Sequence, residues 1–564
     1  GSEMCIRDRD VSMSRLSKKM MALLLTGVMT MSLAACGSSG STETGSSSGS
    51  TTTPAASTEA SEGGSEAADA EVDPNNPYAG IDTSEHVTIT YMTVGDAKTN
   101  GEQEAALAEI NKILESEINT TLEVYNIGWT DYLSNYNLTL AQMDGSVDLV
   151  GTGTDWLDAW PNAQQGAFLE LSEDMLKTYA PLTYAQVPAE NWDKCKYNGE
   201  IYFLPEDHFT QWTNHGFMYR MDWAKEAGLE NGVHSWEDLT TYFKSVKEKH
   251  PDVLPWDSDG THNVQLVGGW MASHTDFISI DGICAGALYG GRTNDPYTLW
   301  SPFYEGDELV EFAKMMKEWD TLGVWKTDVL NNTGVDNREE MLQGQTSVDQ
   351  HHTETWYGTV RPRMDKEQPG SDVGFFWFGE ETGNLVALNI THGAMAISAA
   401  SKNPERALMV ADYLRNNEEV YHLICYGREG EQYVYDEATG TRQQPEGYTD
   451  EGKGIAFNYW WGRNDDLEIP DGKRDLVSYE ALCAEYDKVK IDYPYGKLVP
   501  DLSAIQSNIN NINEIHDNYM KKISYGKYDG SAEDIVAEYR AALQSAGFET
   551  VLEELQKQVD AVYK

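Results

Sequence analysis

The chain has 564 residues, 41 of them lysine or arginine and 92 aspartate or glutamate, for a formal net charge of -51. So acidic a surface repels phosphate backbones and anionic lipid, which excludes nucleic-acid binding and a polybasic mode of membrane attachment. The stretch beyond residue 80 is long enough for two domains with cores of their own.

Residues 1–12 look unlike any targeting signal, precede Met13 and Met20, and are set aside as a gene-boundary artefact. Residues 13–35 have the three-part form of an export signal: basic Arg15, Lys18 and Lys19, an apolar run over 20–33, then small residues. The run is too short for a comfortable membrane span. It ends in Leu33, Ala34, Ala35 and Cys36 followed by Gly37, which resembles the lipobox of bacterial lipoproteins. That resemblance implies lipid on the Cys36 thiol and anchoring through it. Over 36–80 the chain is mostly Ser, Thr, Gly, Ala and Glu, too poor in apolar surface to offset its ordering entropy, and reads as a flexible tether. The later cysteines, Cys195, Cys284, Cys425 and Cys483, lack metal-ligand spacing; one or two disulfides and isolated buried thiols both remain open.

The folded part is predicted to begin near His86. Val87, Ile89 and Tyr91 alternate with threonines as in a strand. Asn100 and Gln103 stand at capping-box spacing ahead of Leu107, Ile110, Leu114 and Ile118, an amphipathic helix. A strand over 121–127, a helix over 132–143 and a strand over 147–150 complete the grammar of a parallel sheet covered by helices. Ligands meet such sheets at the carboxyl ends of the strands, which singles out the loops 95–100, 128–131 and 151–156.

A hairpin follows at 196–204 with Asn198 and Gly199 as its turn, then a strand over 216–219 and a helix over 221–227. Ser235 and Asp238 form a second capping box. The helix over 309–319 and the strand over 347–351 extend what reads as a second α/β domain. Strands are expected at 375–378 and 385–389, and Asn403 with Pro404 starts a helix whose buried side carries Ala407, Leu408, Ala411 and Leu414. The remainder reads as helical, with Ile505, Ile509 and Ile512 on one stretch and Ser531 and Asp534 capping another over 532–543. There is no repeat of solenoid period and no interior segment apolar enough to span a bilayer.

The lipobox, the first strand and loop, the Asn198, Gly199, Glu200, Ile201, Tyr202 element and the stretch 218–223 together resemble the extracellular solute-binding proteins of ABC importers, in the large sugar-binding group called family 1. Ser401, Lys402, Asn403, Pro404, Glu405, Arg406 and Ala407, and then Tyr426, Gly427, Arg428, Glu429, Gly430 and Tyr433, are similar to its lipoprotein branch in Gram-positive gut bacteria. The resemblance covers the chain from His86 to the C-terminus. It implies an α/β, two-lobe fold like the type II periplasmic binding proteins, with a hinge cleft and a helical C-terminal part. Lobe one would comprise 86–209 and 355–416, and lobe two 210–354 and 417–564. The protein would act as a monomer on the outer face of the cytoplasmic membrane, take a carbohydrate or other small polar ligand, and meet two permease subunits and their ATPase. No cofactor is called for.

Sugars present apolar C–H faces rimmed by hydroxyls, so their sites need aromatic platforms beside groups that donate and accept hydrogen bonds. Asp155 and Trp156 follow the third strand and are the first candidates; Asp96, and Trp129 beside Asp131, hold the equivalent places after strands one and two. Trp212, Asn214 and His215 lie near a predicted crossing between lobes, and His351, His352, Trp356 and Tyr357 near another. The adjacent histidines lack His-Glu-x-x-His spacing, which argues against a metal. The densest cluster is Asn458, Tyr459, Trp460, Trp461 and Arg463, whose guanidinium suits ring oxygens or a cleft carboxylate. Trp377 and Glu380 form a weaker candidate. Asp257, Asp259 and Gly260 resemble a calcium loop in part only and read as a turn. Each of these residues also has a packing or capping role open to it. The rival functions are an extracellular glycosidase, which needs two carboxylates facing one bond, and a peptide-binding or adhesive surface lipoprotein.

Overall fold

The computed structural model describes residues 76–284, 287–332 and 336–564. The expected signal peptide, Cys36 and the tether up to residue 75 lie outside the described residues. At 76–80 the tether reading is corrected. Tyr78 is buried, its ring lies 5.3 Å from that of Tyr413, and its hydroxyl donates to Asp412 Oδ2 at 2.9 Å, so the fold starts before His86.

Strand β1 (Val87–Val94), helix α1 (Glu102–Ile118), strand β2 (Thr120–Ile127), helix α2 (Tyr132–Gln142) and strand β3 (Leu149–Thr152) follow the predicted order. β1 lies parallel to both β2 and β3, from Val87 opposite Thr120 to Val94 opposite Ile127. The first capping box does not form: Gly101, at φ 84, takes the N-cap position, and Asn100 instead accepts from the Glu102 N–H. β3 runs through Gly151, where a Cβ would sit 2.4 Å from the Trp461 ring, so only glycine lets that indole lie against the strand. The fourth strand of the sheet arrives from far along the chain.

The second sheet is antiparallel. Its central strand β4 (His215–Arg220) pairs with β5 (Val348–His352) on one side and β6 (Val373–Trp377) on the other. Strand β7 (Ala394–Ile397) then returns to lie antiparallel to β3, giving the first sheet the order β7-β3-β1-β2. Helix α3 (Pro404–Asn416), with proline in its first turn, and helix α4 (Glu418–Tyr426) bury Leu408, Leu414, Tyr421 and Ile424 in the same core. Toward the C-terminus, helices α5 (Leu476–Val489), α6 (Gln506–Ile523), α7 (Ala532–Ser545) and α8 (Phe548–Tyr563) follow. The Ser531–Asp534 capping box of α7 forms as read. Ile512, Leu543 and Leu555 of the last three are fully buried in the second core.

Two large hydrophobic cores therefore define two lobes, and their membership corrects the expected boundaries. Residues 355–386 belong with the second lobe, because β6 completes the sheet of β4 and Trp356 packs with Met218 and Val373. Val420, Phe457, Tyr459 and Trp461 belong with the first, since α4 and the loop after it cover β1 and β3. The chain crosses between the cores at 205–211, 387–393 and 469–475. The first crossing is held by a buried ion pair, Arg415 to Asp207 at 2.9 Å, with Arg415 also donating to the Pro205 carbonyl.

Candidate functional site

Because β1, β2 and β3 are parallel, the loops that leave them gather at one edge of the first lobe. Asp96 Oδ1 accepts from the Trp129 N–H at 3.2 Å, joining the loops of the first two strands. Asn458 donates to the Asp96 carbonyl, Thr93 donates to the Asn458 carbonyl at 2.6 Å, and Trp460 Nε1 donates to the Val94 carbonyl at 3.1 Å. The late segment around Asn458 is thus pinned onto the end of β1, and six expected site residues, Asp96, Trp129, Asp155, Trp156, Asn458 and Trp460, share one edge.

Aromatic rings run along that edge. Trp129 lies 5.7 Å from Tyr132, Tyr132 lies 6.2 Å from Trp156, and Trp156 stacks parallel to Trp461 at 5.9 Å. Trp129, Tyr132 and Trp156 are partly exposed, whereas Trp461 is fully buried. Trp156 Nε1 donates to the His392 carbonyl at 3.0 Å, which fixes the tilt of the indole. Trp461 thus backs Trp156.

Beside the rings sits a charged pair. His392 Nδ1 lies 2.7 Å from Asp155 Oδ2. Desolvation alone would lower the His392 pKa, but the Asp155 carboxylate, with Glu206 and Asp281 adding, outweighs it and holds the imidazole above its ordinary value. Asp281, from the second lobe, is raised by desolvation and by the Asp155 charge, and its backbone N–H donates to the Tyr493 hydroxyl at 2.8 Å. Glu206, buried behind the pair, is pushed up to about 8 by desolvation and accepts from the Arg463 N–H at 3.0 Å. The lobes approach closely here: at Gly282, whose φ is +72, a Cβ would lie 3.1 Å from the Thr154 carbonyl.

The pair makes stability depend on pH. The charged imidazole gains its partner only on folding, so its contribution is complete below about pH 6.5, the unfolded value, and is lost as pH rises through the higher folded value. Thermal melts of the protein and of His392→Asn are therefore expected to differ most below about pH 6.5 and to converge as pH rises above it. Curves that stay parallel as pH rises would remove the charged His392.

The second lobe supplies histidines. The His215 ring lies 5.6 Å from that of His351 and 6.0 Å from that of His352, and Gln350 Nε2 lies 3.0 Å from His215 Nδ1. His215 is pushed down to about 4 by burial, with His262 adding. His352 is lowered by burial, then by His215, Arg338 and His392, the last acting from the crossing segment 387–393. His352 Nε2 is buried with no partner among the described residues.

Other sequence candidates take packing positions. Trp212 and Trp377 are 6 % exposed and flank Tyr486 of α5 at 4.8 and 5.3 Å. Trp356 is 5 % exposed, stacks on Phe375, and donates through Nε1 to the Val373 carbonyl at 3.1 Å. The cause is α5, which covers the face of β6 that carries Phe375 and Trp377. Arg463 is buried in the first lobe and pairs with Glu468, not with a cleft carboxylate; its plane also lies 4.8 Å from the Phe209 ring. Asp257 pairs with Lys326 at 2.6 Å. The sequence reading missed Tyr132, His392, Asp281 and Tyr493. Tyr132 was within reach, since it follows the 128–131 loop directly; no local pattern marks the other three.

Residues 97–421 match the bacterial extracellular solute-binding protein family, and residues 494–564 match a domain of unknown function, DUF3502. A carbohydrate ABC transporter substrate-binding protein of Streptococcus pneumoniae serotype 4 is 24% identical over 506 residues, which are 87% of this chain and 94% of that one. The crystal structure of an N-glycan transport solute binding protein from Streptococcus pneumoniae matches with a TM-score of 0.67 at 21% identity, over 85% of this chain and 99% of that one. An HMO binding solute binding protein from Bifidobacterium longum infantis matches with a TM-score of 0.59 at 16% identity, over 85% and 99%. These likenesses agree with the two-lobe architecture of the type II binding proteins, and by the match over 97–421 the chain belongs to the bacterial extracellular solute-binding protein family.

Proposed function

We propose that the protein captures an oligosaccharide between its lobes and delivers it, chemically unchanged, to an ABC permease. The observation that carries this reading is the row of partly exposed rings, Trp129, Tyr132 and Trp156, beside the Asp155–His392 pair. Rings offer faces to sugar C–H groups, and the carboxylate and imidazole meet hydroxyls. The oligosaccharide-binding relatives support the same ligand class. Closure brings Asp281 and the histidines of the second lobe to the ligand's other side, so the closed state gains contacts that the open one lacks. Lipid on Cys36 holds the monomer at the outer face of the cytoplasmic membrane, within reach of the permease subunits.

A thermal-shift screen over glycans and peptides tests this. A ligand at a hundred times its Kd adds about 2.7 kcal/mol of stability. At least one oligosaccharide is expected to raise the melting temperature and to be recovered intact. Hydrolysed sugar would make the protein a glycosidase, and a response confined to peptides would replace the ligand class.

A further inference from the structure

The match to a domain of unknown function leaves residues 494–564 without a role. Helices α6, α7 and α8 fill the second core, but the strand of chain that leads into them, 493–506, runs along the gap between the lobes. A cavity of about 320 Å³ opens there, at the small end of the range of about 300–1,000 Å³ for ligand pockets. Thr154, Gln164 and Gln165 line it from the first lobe, and Asp281, Tyr493 and Ser503 from the second. Thr154 precedes Asp155 in the chain and the Asp281 charge acts on the Asp155–His392 pair, so the cavity lies next to that pair.

Its walls already touch. Gln164 Nε2 donates to the Pro500 carbonyl at 3.2 Å, and Lys497 Nζ lies 3.2 Å from Asp193 Oδ2. The lining combines amides and hydroxyls, which both donate and accept, with tyrosine rings, the chemistry that a sugar hydroxyl rim and C–H face require. Asp501 places an ionised carboxylate on the second-lobe side of the cavity, which disfavours an anionic guest.

We infer that the C-terminal domain builds a second saccharide subsite, in which 493–506 and 154–165 hold the far end of an oligosaccharide whose near end stacks at Trp156, and that this subsite takes neutral rather than uronic-acid units. The inference rests on the saccharide reading of the cleft and gives the domain of unknown function a part in selecting ligand length and charge.

Gln165→Trp and Ser503→Trp fill the cavity from opposite walls, and both positions are exposed, so neither change burdens a core. The probes are two-unit and six-unit members of mannosyl-N-acetylglucosamine, fructan and milk-oligosaccharide series, with alginate as the anionic series, titrated calorimetrically into the full chain. For the series that binds, six units are expected to bind at least about tenfold more tightly than two, and each tryptophan variant to bring that ratio near one. Alginate is expected to bind at least about tenfold more weakly than the neutral series. A ratio that either variant leaves intact, or an equal loss at both lengths, overturns the subsite while the cleft reading stands. A preference for alginate overturns its neutral selectivity. A wild-type chain that binds no series at either length removes the saccharide reading and the subsite with it.

Discussion

Replacing Arg463 with methionine is expected to destabilise the protein by about 3–5 kcal/mol, because it strands a buried carboxylate. Arg463 Nε donates to Glu468 Oε1 at 2.7 Å and to the Tyr421 hydroxyl at 3.0 Å, and Tyr421 and Tyr426 both donate to Glu468. Burial alone would raise the Glu468 pKa, but the guanidinium and the two phenols outweigh it and hold the carboxyl at about 2. The sign of the pH dependence follows. A depressed carboxyl contributes its stability above the unfolded value of about 4.3 and loses it as pH falls toward the folded value. Denaturant titration at neutral pH should show the full loss in Arg463→Met, and the gap to wild type should close in acid. Arg463→Met with Glu468→Leu should recover much of the loss, since an apolar pair of similar volume avoids the desolvation cost. A single variant as stable as wild type would show that the pair contributes nothing to the first lobe.

Trp156→Ala is expected to weaken oligosaccharide binding at least about tenfold, as for an aromatic hot spot. Trp461→Ala should act differently. Its ring is fully buried against Gly151 and behind Trp156, so its loss leaves a cavity costing about 3–5 kcal/mol in stability. Calorimetric titration and thermal melts of both variants separate the roles. Trp156 governs affinity and Trp461 mainly the melting temperature. Wild-type affinity in Trp156→Ala would move the ligand away from this edge, whatever the melting temperatures.

Much of the first lobe can be read from local pattern. Val87, Ile89 and Tyr91 alternate because one side of β1 packs under helices, and Leu107, Ile110 and Leu114 recur because α1 buries a stripe, so both elements follow from short-range periodicity. The parallel grammar then places Asp96, Trp129, Asp155 and Trp156 at one edge, since strand direction alone decides where loops emerge. Those four residues come together as that reasoning expects.

Whether a tryptophan is a platform or a core residue depends on what lies over it, and that is set by residues a hundred or more positions away. Trp212 and Trp377 read like cleft aromatics until α5 covers them with Tyr486. Trp460 and Trp461 are neighbours in sequence, yet one bonds the β1 carbonyl at the edge and the other fills the space above Gly151. The histidine and carboxyl partners of Asp155 come from a crossing segment and from the opposite lobe, and no spacing along the chain encodes that meeting. Short-range patterning thus carried the α/β grammar and the edge at which the loops of the first three strands gather. Which rings face the gap, where the lobes divide and what meets Asp155 were decided by contacts distant in sequence, because burial belongs to the assembled surface and not to the residue.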